Sequence, residues 1–120
     1  MKIQHNRTQS STGHSVVLIT VPDTATADTI ASRLLERKLA ACVHILPAIK
    51  SRYWWEGKQE TASEILLTVK TETALVPLLI RAVREIHPYK VPEIIALPVT
   101  HGNPAYLAWI TDCCRRDPRA

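Results

Sequence analysis

The segment IHPYKVPEIIALPVTHG, residues 86–102, brings His87, Glu93 and His101 close to a run of aliphatic residues. Histidine and carboxylate side chains hold metals and move protons, so their placement beside a buried-looking run raises the question of a site. His87 precedes Pro88 and ends a helix, where the dipole favours a protonated imidazole. Glu93 lies between Pro92 and the apolar run. A carboxylate there needs a cation, and Lys70 is the first choice, with Lys90 or a neighbouring chain as alternatives. Elsewhere Cys42 and His44 stand two apart in ACVHIL, which puts them on one face of a strand. That spacing suits a thiol–imidazole pair for nucleophilic chemistry or half of a soft-metal site, against the plainer and favoured reading of Cys42 as a small buried thiol. Cys113 and Cys114 are neighbours on a helix and diverge. With no CxxC among the three cysteines, zinc-finger and thioredoxin-like chemistry have no support.

The elements that must carry these residues follow from periodicity. SVVLITV (15–21) is a β-branched apolar run and reads as a buried strand. Pro22 ends it, and Asp23 or Thr24 caps a helix whose apolar stripe is Ala27, Ile30, Ala31, Leu34 and Leu35. ACVHIL (41–46) opens a second strand. Pro47 cannot donate to a ladder, so it belongs at a bulge or an edge. SRYWWEGKQE (51–60) is a hairpin tip that turns at Glu56-Gly57-Lys58 and carries Tyr53, Trp54 and Trp55. In SEILLTVKT, residues Ile65, Leu67 and Val69 point one way and Glu64, Leu66, Thr68 and Lys70 the other. Leu75, Leu78, Leu79, Ala82, Val83 and Ile86 keep helical spacing, with Pro77 in the first turn and a cap near Thr73. EIIALPV (93–99) is the fourth strand, expected to be buried on both faces. Asn103 caps a last helix that has Pro104 at its first position.

The order is β-α-β-β-α-β plus a C-terminal helix, which is the ferredoxin-like split βαβ pattern: an α+β fold with an antiparallel sheet and a long β2–β3 hairpin. One domain over 15–114 is expected, with a polar, disordered tail over 1–14 and a frayed one over 115–120.

Charge and composition exclude several users of this fold. The formal net charge is +4, but ten Lys/Arg balance ten Asp/Glu between Val16 and Asp112, so the excess sits in the tails and no basic footprint for nucleic acid exists. The strand segments SVVLITV and SEILLTVKT lack the aromatics on which RNA-recognition modules stack bases. The loop TVPDTAT has neither the CxxC of a metal chaperone nor an arginine cradle for an acyl phosphate. No apolar run spans a bilayer, and the opening MKIQHNRTQSSTGHS has no apolar core of a secretory signal, so no membrane partner and a cytoplasmic location are expected.

VVLITVPDTATA, ERKLAACVHILP, SRYWWEGK, Lys70-Thr71, HPYKVPEIIALPV and NPAYLAW, taken together and in this order, resemble the CutA divalent-cation-tolerance proteins from about Ser15 to Trp109. The resemblance implies a ferredoxin-like homotrimer similar in architecture to the PII signalling trimers. It also implies a link to copper and other divalent cations, and no defined enzymatic reaction. In some bacterial members a cysteine within strand one and paired histidines before Pro-Tyr form a copper pattern. Here Ile19 and Ile86 occupy two of those positions, and only His87 carries over. The expected role is therefore a trimeric protein that responds to or binds copper and other divalent ions, with no cofactor required for folding and with His87 and Cys42 as the metal candidates. The alternatives are a PII-like regulator that binds a small anion between subunits, or a purely structural assembly partner. Cys42, Tyr53, Trp54, Lys70, Tyr89, Lys90 and Glu93 are expected to gather in an inter-subunit cleft, with Cys42 at its floor and Trp54, from the hairpin tip of another subunit, as its roof beside Tyr53.

Overall fold

The structure is a computed structural model that describes residues 12–115. Its elements are β1 (His14–Val21), α1 (Thr24–Glu36), β2 (Cys42–Trp55), β3 (Lys58–Glu72), a 3₁₀ turn (Thr73–Leu75), α2 (Val76–Ile86), β4 (Ile94–Val99) and α3 (Pro104–Cys113). The sheet order is β2-β3-β1-β4 with every pair antiparallel, as the split βαβ pattern requires. The tails set apart by composition fall almost wholly outside the described residues. Of their described part, Thr12 donates its hydroxyl to the Val99 carbonyl at 2.6 Å and His14 opens β1.

One face of the sheet forms the core. Val17, Ile19 and Val21 of β1 and Leu67 and Val69 of β3 are fully buried, and Ile65 nearly so. They pack on Ala27, Ile30 and Leu34 of α1 and on Leu79, Ala82 and Val83 of α2. The local chemistry matches the ends of these elements. Asp23 accepts from the Thr26 N–H at 2.8 Å, and that bond holds its carboxyl below the ordinary carboxylate range. Asn103 caps α3 through Ala105, with Pro104 at the first helical position. α2 has no side-chain cap, since the chain enters it through the 3₁₀ turn that begins at Thr73.

Two features depart from the pattern read in the sequence. β4 is an edge strand of which only Ile94 packs on the helical core. It is not buried on both faces: Ile95 is 50% and Leu97 48% exposed. Its register sets Ile95 beside Leu18 and Leu97 beside Val16, away from the helical layer. In β2 the ladder pairs Leu46 with Leu66 and then Ile49 with Glu64, so Pro47 and Ala48 oppose Ile65 alone. Ala48 takes φ 62° in this bulge. The extra residue reverses the alternation. Before it Cys42, His44 and Leu46 face away from α1 and α2, and after it Ile49, Ser51, Tyr53 and Trp55 do. The hairpin closes at Glu56 and Gly57, both at positive φ, as a two-residue turn that follows the strand twist requires.

Candidate functional site

The chain between α2 and β4 is held by one histidine. His87 continues α2 by donating its backbone N–H to the Val83 carbonyl at 2.9 Å, then leaves the helix in extended geometry. Its ring is buried, with Nε2 2.8 Å from the Thr20 carbonyl and Nδ1 accepting the Tyr89 N–H at 3.1 Å. A carbonyl only accepts and an N–H only donates, so the ring is the neutral Nε2–H tautomer. The Tyr89 ring lies 4.8 Å from it, centroid to centroid, and the Tyr89 hydroxyl donates to Glu64 Oε2 at 2.8 Å. Three hydrogen bonds thus run from β1 through His87 and Tyr89 to a carboxylate on β3.

Glu64 is 8% exposed, and this buried acid is matched by the Tyr89 phenol. Burial first, and Glu64 second, push the phenol up from 10.0 to about 12. The folded state therefore keeps a proton that the unfolded chain gives up sooner. The contribution to stability is complete below pH 10 and is lost as pH rises to about 12. Tyr89→Phe should flatten that segment of the stability–pH curve in urea titrations, whereas an unchanged slope assigns it to another group.

Around this chain opens a cleft of about 650 Å³ between the turn-side half of the β2–β3 hairpin and the α2–β4 connection. Tyr53, Tyr89, Lys90 and Glu93, four of the residues singled out in the sequence, line it together. Thr20, Lys50, Ser51, Arg52, Trp55, Glu64 and Val91 complete the lining and were not singled out. This chain's own Trp54 is not among them: the bulge turns Trp55 to the face of Glu64 and sends Trp54, 70% exposed, to the reverse. Three aromatics packed into YWW marked the segment, but spacing alone could not choose between adjacent tryptophans. Glu64 was visible only as one polar residue on the outward side of its strand.

Lys70 and Cys42 sit elsewhere. Lys70 does not pair with Glu93. Its Nζ lies 2.6 Å from His44 Nδ1 and 3.1 Å from Thr68 Oγ1. Cys42 pairs with Lys70, and Lys70 with Val16, whereas His87 bonds at Thr20. Four residues along β1 separate those rows, about 13 Å. Cys42 is therefore at the opposite end of the sheet from the cleft. There the Tyr106 phenol of α3 is pushed up by burial and then by the adjacent thiol. His44 engages Lys70, so the arrangement is not a Cys42–His44 couple.

The residues present do not fit a copper ion held by His87 and Cys42. They are too far apart to share an ion, and both nitrogens of His87 are engaged. Among the described residues no group of three or more His, Cys, Asp or Glu could hold a metal. Among them, too, no helix is long and apolar enough to cross a membrane.

Comparison with known proteins gives one family. Residues 15–113 match the family described as CutA1 divalent ion tolerance protein. The chain is 50% identical over 97 residues to the divalent-cation tolerance protein CutA of Thermus thermophilus, covering 81% of this chain and 94% of that one. It is 49% identical over 96 residues to the mouse protein CutA, covering 80% of this chain but only 54% of the mouse protein's length. In three dimensions it superposes on the CutA of Archaeoglobus fulgidus, described as a periplasmic divalent cation tolerance protein. That match has a TM-score of 0.83 at 43% identity and covers 85% of this chain and 99% of that one.

Proposed function

The chain belongs to the CutA1 divalent ion tolerance family, and from that premise we propose that it is a small self-assembling protein, a homotrimer, that takes part in the response to copper and other divalent ions and catalyses no reaction. The observation that carries this reading is the sheet face opposite α1 and α2, which α3 reaches only at one end, where Thr111 meets His14 and Tyr106 meets Cys42. Leu46, Ile95 and Leu97 on that face are between 40% and 50% exposed, beside partly buried Leu18 and Leu66. Apolar surface of this kind, ending in an edge strand, is an aggregation hazard unless a partner covers it, and further copies of the chain would do so. Its proposed partner is itself, with neither nucleic acid nor membrane. The proposed compartment is the cytoplasm, where the three free cysteines would stay reduced.

Of the two metal candidates named from the sequence Cys42 is the one left, and one thiol makes a weak site. Calorimetric titration with copper should give binding no tighter than micromolar, reduced by Cys42→Ser and indifferent to His87→Ala. Tight, stoichiometric binding that survives both substitutions would place the ligands elsewhere.

A second reading is favoured by the cleft. Lys50, Arg52 and Lys90 surround it, which suits a PII-like regulator that binds a small organic anion at or near a subunit boundary.

A further inference from the structure

We propose that the cleft between the turn-side half of the hairpin and the α2–β4 connection binds a planar aromatic ring carrying one anionic group, with the ring against Tyr53 and Trp55 and the anion toward Lys90. The inference rests on the small-anion reading and adds the ring. Tyr53, Trp55 and Tyr89, half of the chain's six aromatic residues, line one cleft. Two of them reach it only because the bulge at Pro47 and Ala48 reverses the alternation of β2. Large flat side chains 43% and 50% exposed, on the face that also holds a buried carboxylate, offer stacking area that a ringless anion leaves unused.

Charge sets the other half of the ligand. Lys50, Arg52 and Lys90 border the cleft against Glu64 and Glu93, an excess of one cation, which a single negative group neutralises. The Tyr89 hydroxyl already donates to Glu64, so that carboxylate is committed to the protein. Glu93, exposed near Lys90, favours a hydrogen-bond donor on the ligand over a second anionic group. A volume of about 650 Å³ accommodates a ring of one or two cycles with a short acidic arm. The His87–Tyr89–Glu64 chain fixes one wall before a ligand arrives, which lowers the ordering cost of binding.

The test is calorimetry on the full-length protein with five probes: indole-3-acetate, adenosine 5′-monophosphate, acetate, inorganic phosphate and benzyl alcohol. The two ring-bearing anions should bind at least tenfold more tightly than the ringless anions and the neutral ring, and their ranking separates a carboxylate from a phosphate ligand. Lys90→Ala and Trp55→Ala, both exposed positions, should each weaken the preferred probe by at least tenfold with the melting temperature unchanged. If acetate or phosphate binds as tightly as the ring-bearing anions and Lys90→Ala weakens it, the small-anion reading stands and the ring inference is overturned. If none of the four anions binds, both fall. Binding that neither substitution weakens places the ligand outside the cleft. Cross-linking that shows another copy of the chain filling the cleft also overturns the inference.

Discussion

The double substitution Ile95→Asp/Leu97→Asp is expected to give a folded monomer under conditions in which the unmodified protein sediments as a trimer. Both side chains stand on the uncovered face of an edge strand, half exposed in the single chain, so neither is needed for the core formed by Val17, Ile19, Leu67 and their helical partners. If another copy covers them, each loses about 2 kcal/mol of apolar burial per contact, roughly thirty-fold in association. The carboxylates add the cost of desolvating a charge in the contact, so the combined loss is well beyond a thousand-fold. Sedimentation equilibrium at micromolar protein reads the mass, and circular dichroism confirms that the fold is kept. A variant that remains trimeric rules this face out as the contact, and an unmodified protein that sediments as a monomer removes the proposal of a homotrimer altogether.

His87→Ala is expected to lower stability by about 2–4 kcal/mol, because it strips the buried Thr20 carbonyl and the Tyr89 N–H of their partners and leaves a cavity under Tyr89. The same change should loosen the aromatic wall of the cleft, since the Tyr89 backbone is positioned by the lost imidazole. Urea unfolding measures the first effect. The accompanying slope in alkaline pH measures the second, because a released Tyr89 no longer holds its proton beyond the usual range. A histidine kept for metal would give the reverse result, with little change in the apo protein and a loss only of metal-induced stabilisation. That outcome would falsify the structural role assigned to His87.

Much of the fold was legible because it is local. The stripe from Leu75 to Ile86 is a helix by spacing alone. Asp23 and Asn103 are caps by side-chain chemistry, and Glu56-Gly57 is a turn by backbone tolerance. The alternation of Ile65, Leu67 and Val69 named the buried side of β3, and Pro47 named the place of the bulge. The motifs spread from Ser15 to Trp109 also sufficed to indicate the family. Part of the cleft was visible as well: Tyr53, Tyr89, Lys90 and Glu93 were singled out and line it together.

Tertiary structure decided the rest, and each case has a non-local cause. A bulge changes which residues share a face only through the partner strand it is paired against, so the choice of Trp55 over Trp54 required the register of β2 on β3. The aliphatic run of β4 shows that apolar surface must be covered, but its position at the sheet edge leaves half of it open, and no count of aliphatic residues distinguishes coverage by a helix from coverage by another chain. His87, Glu93 and Cys42 have the types that bind ions. Whether a ring nitrogen or a carboxylate is free to do so depends on what the fold brings within about 3 Å, and here it brought the Thr20 carbonyl and the Tyr89 N–H to His87 and left Cys42 at the far end of the sheet.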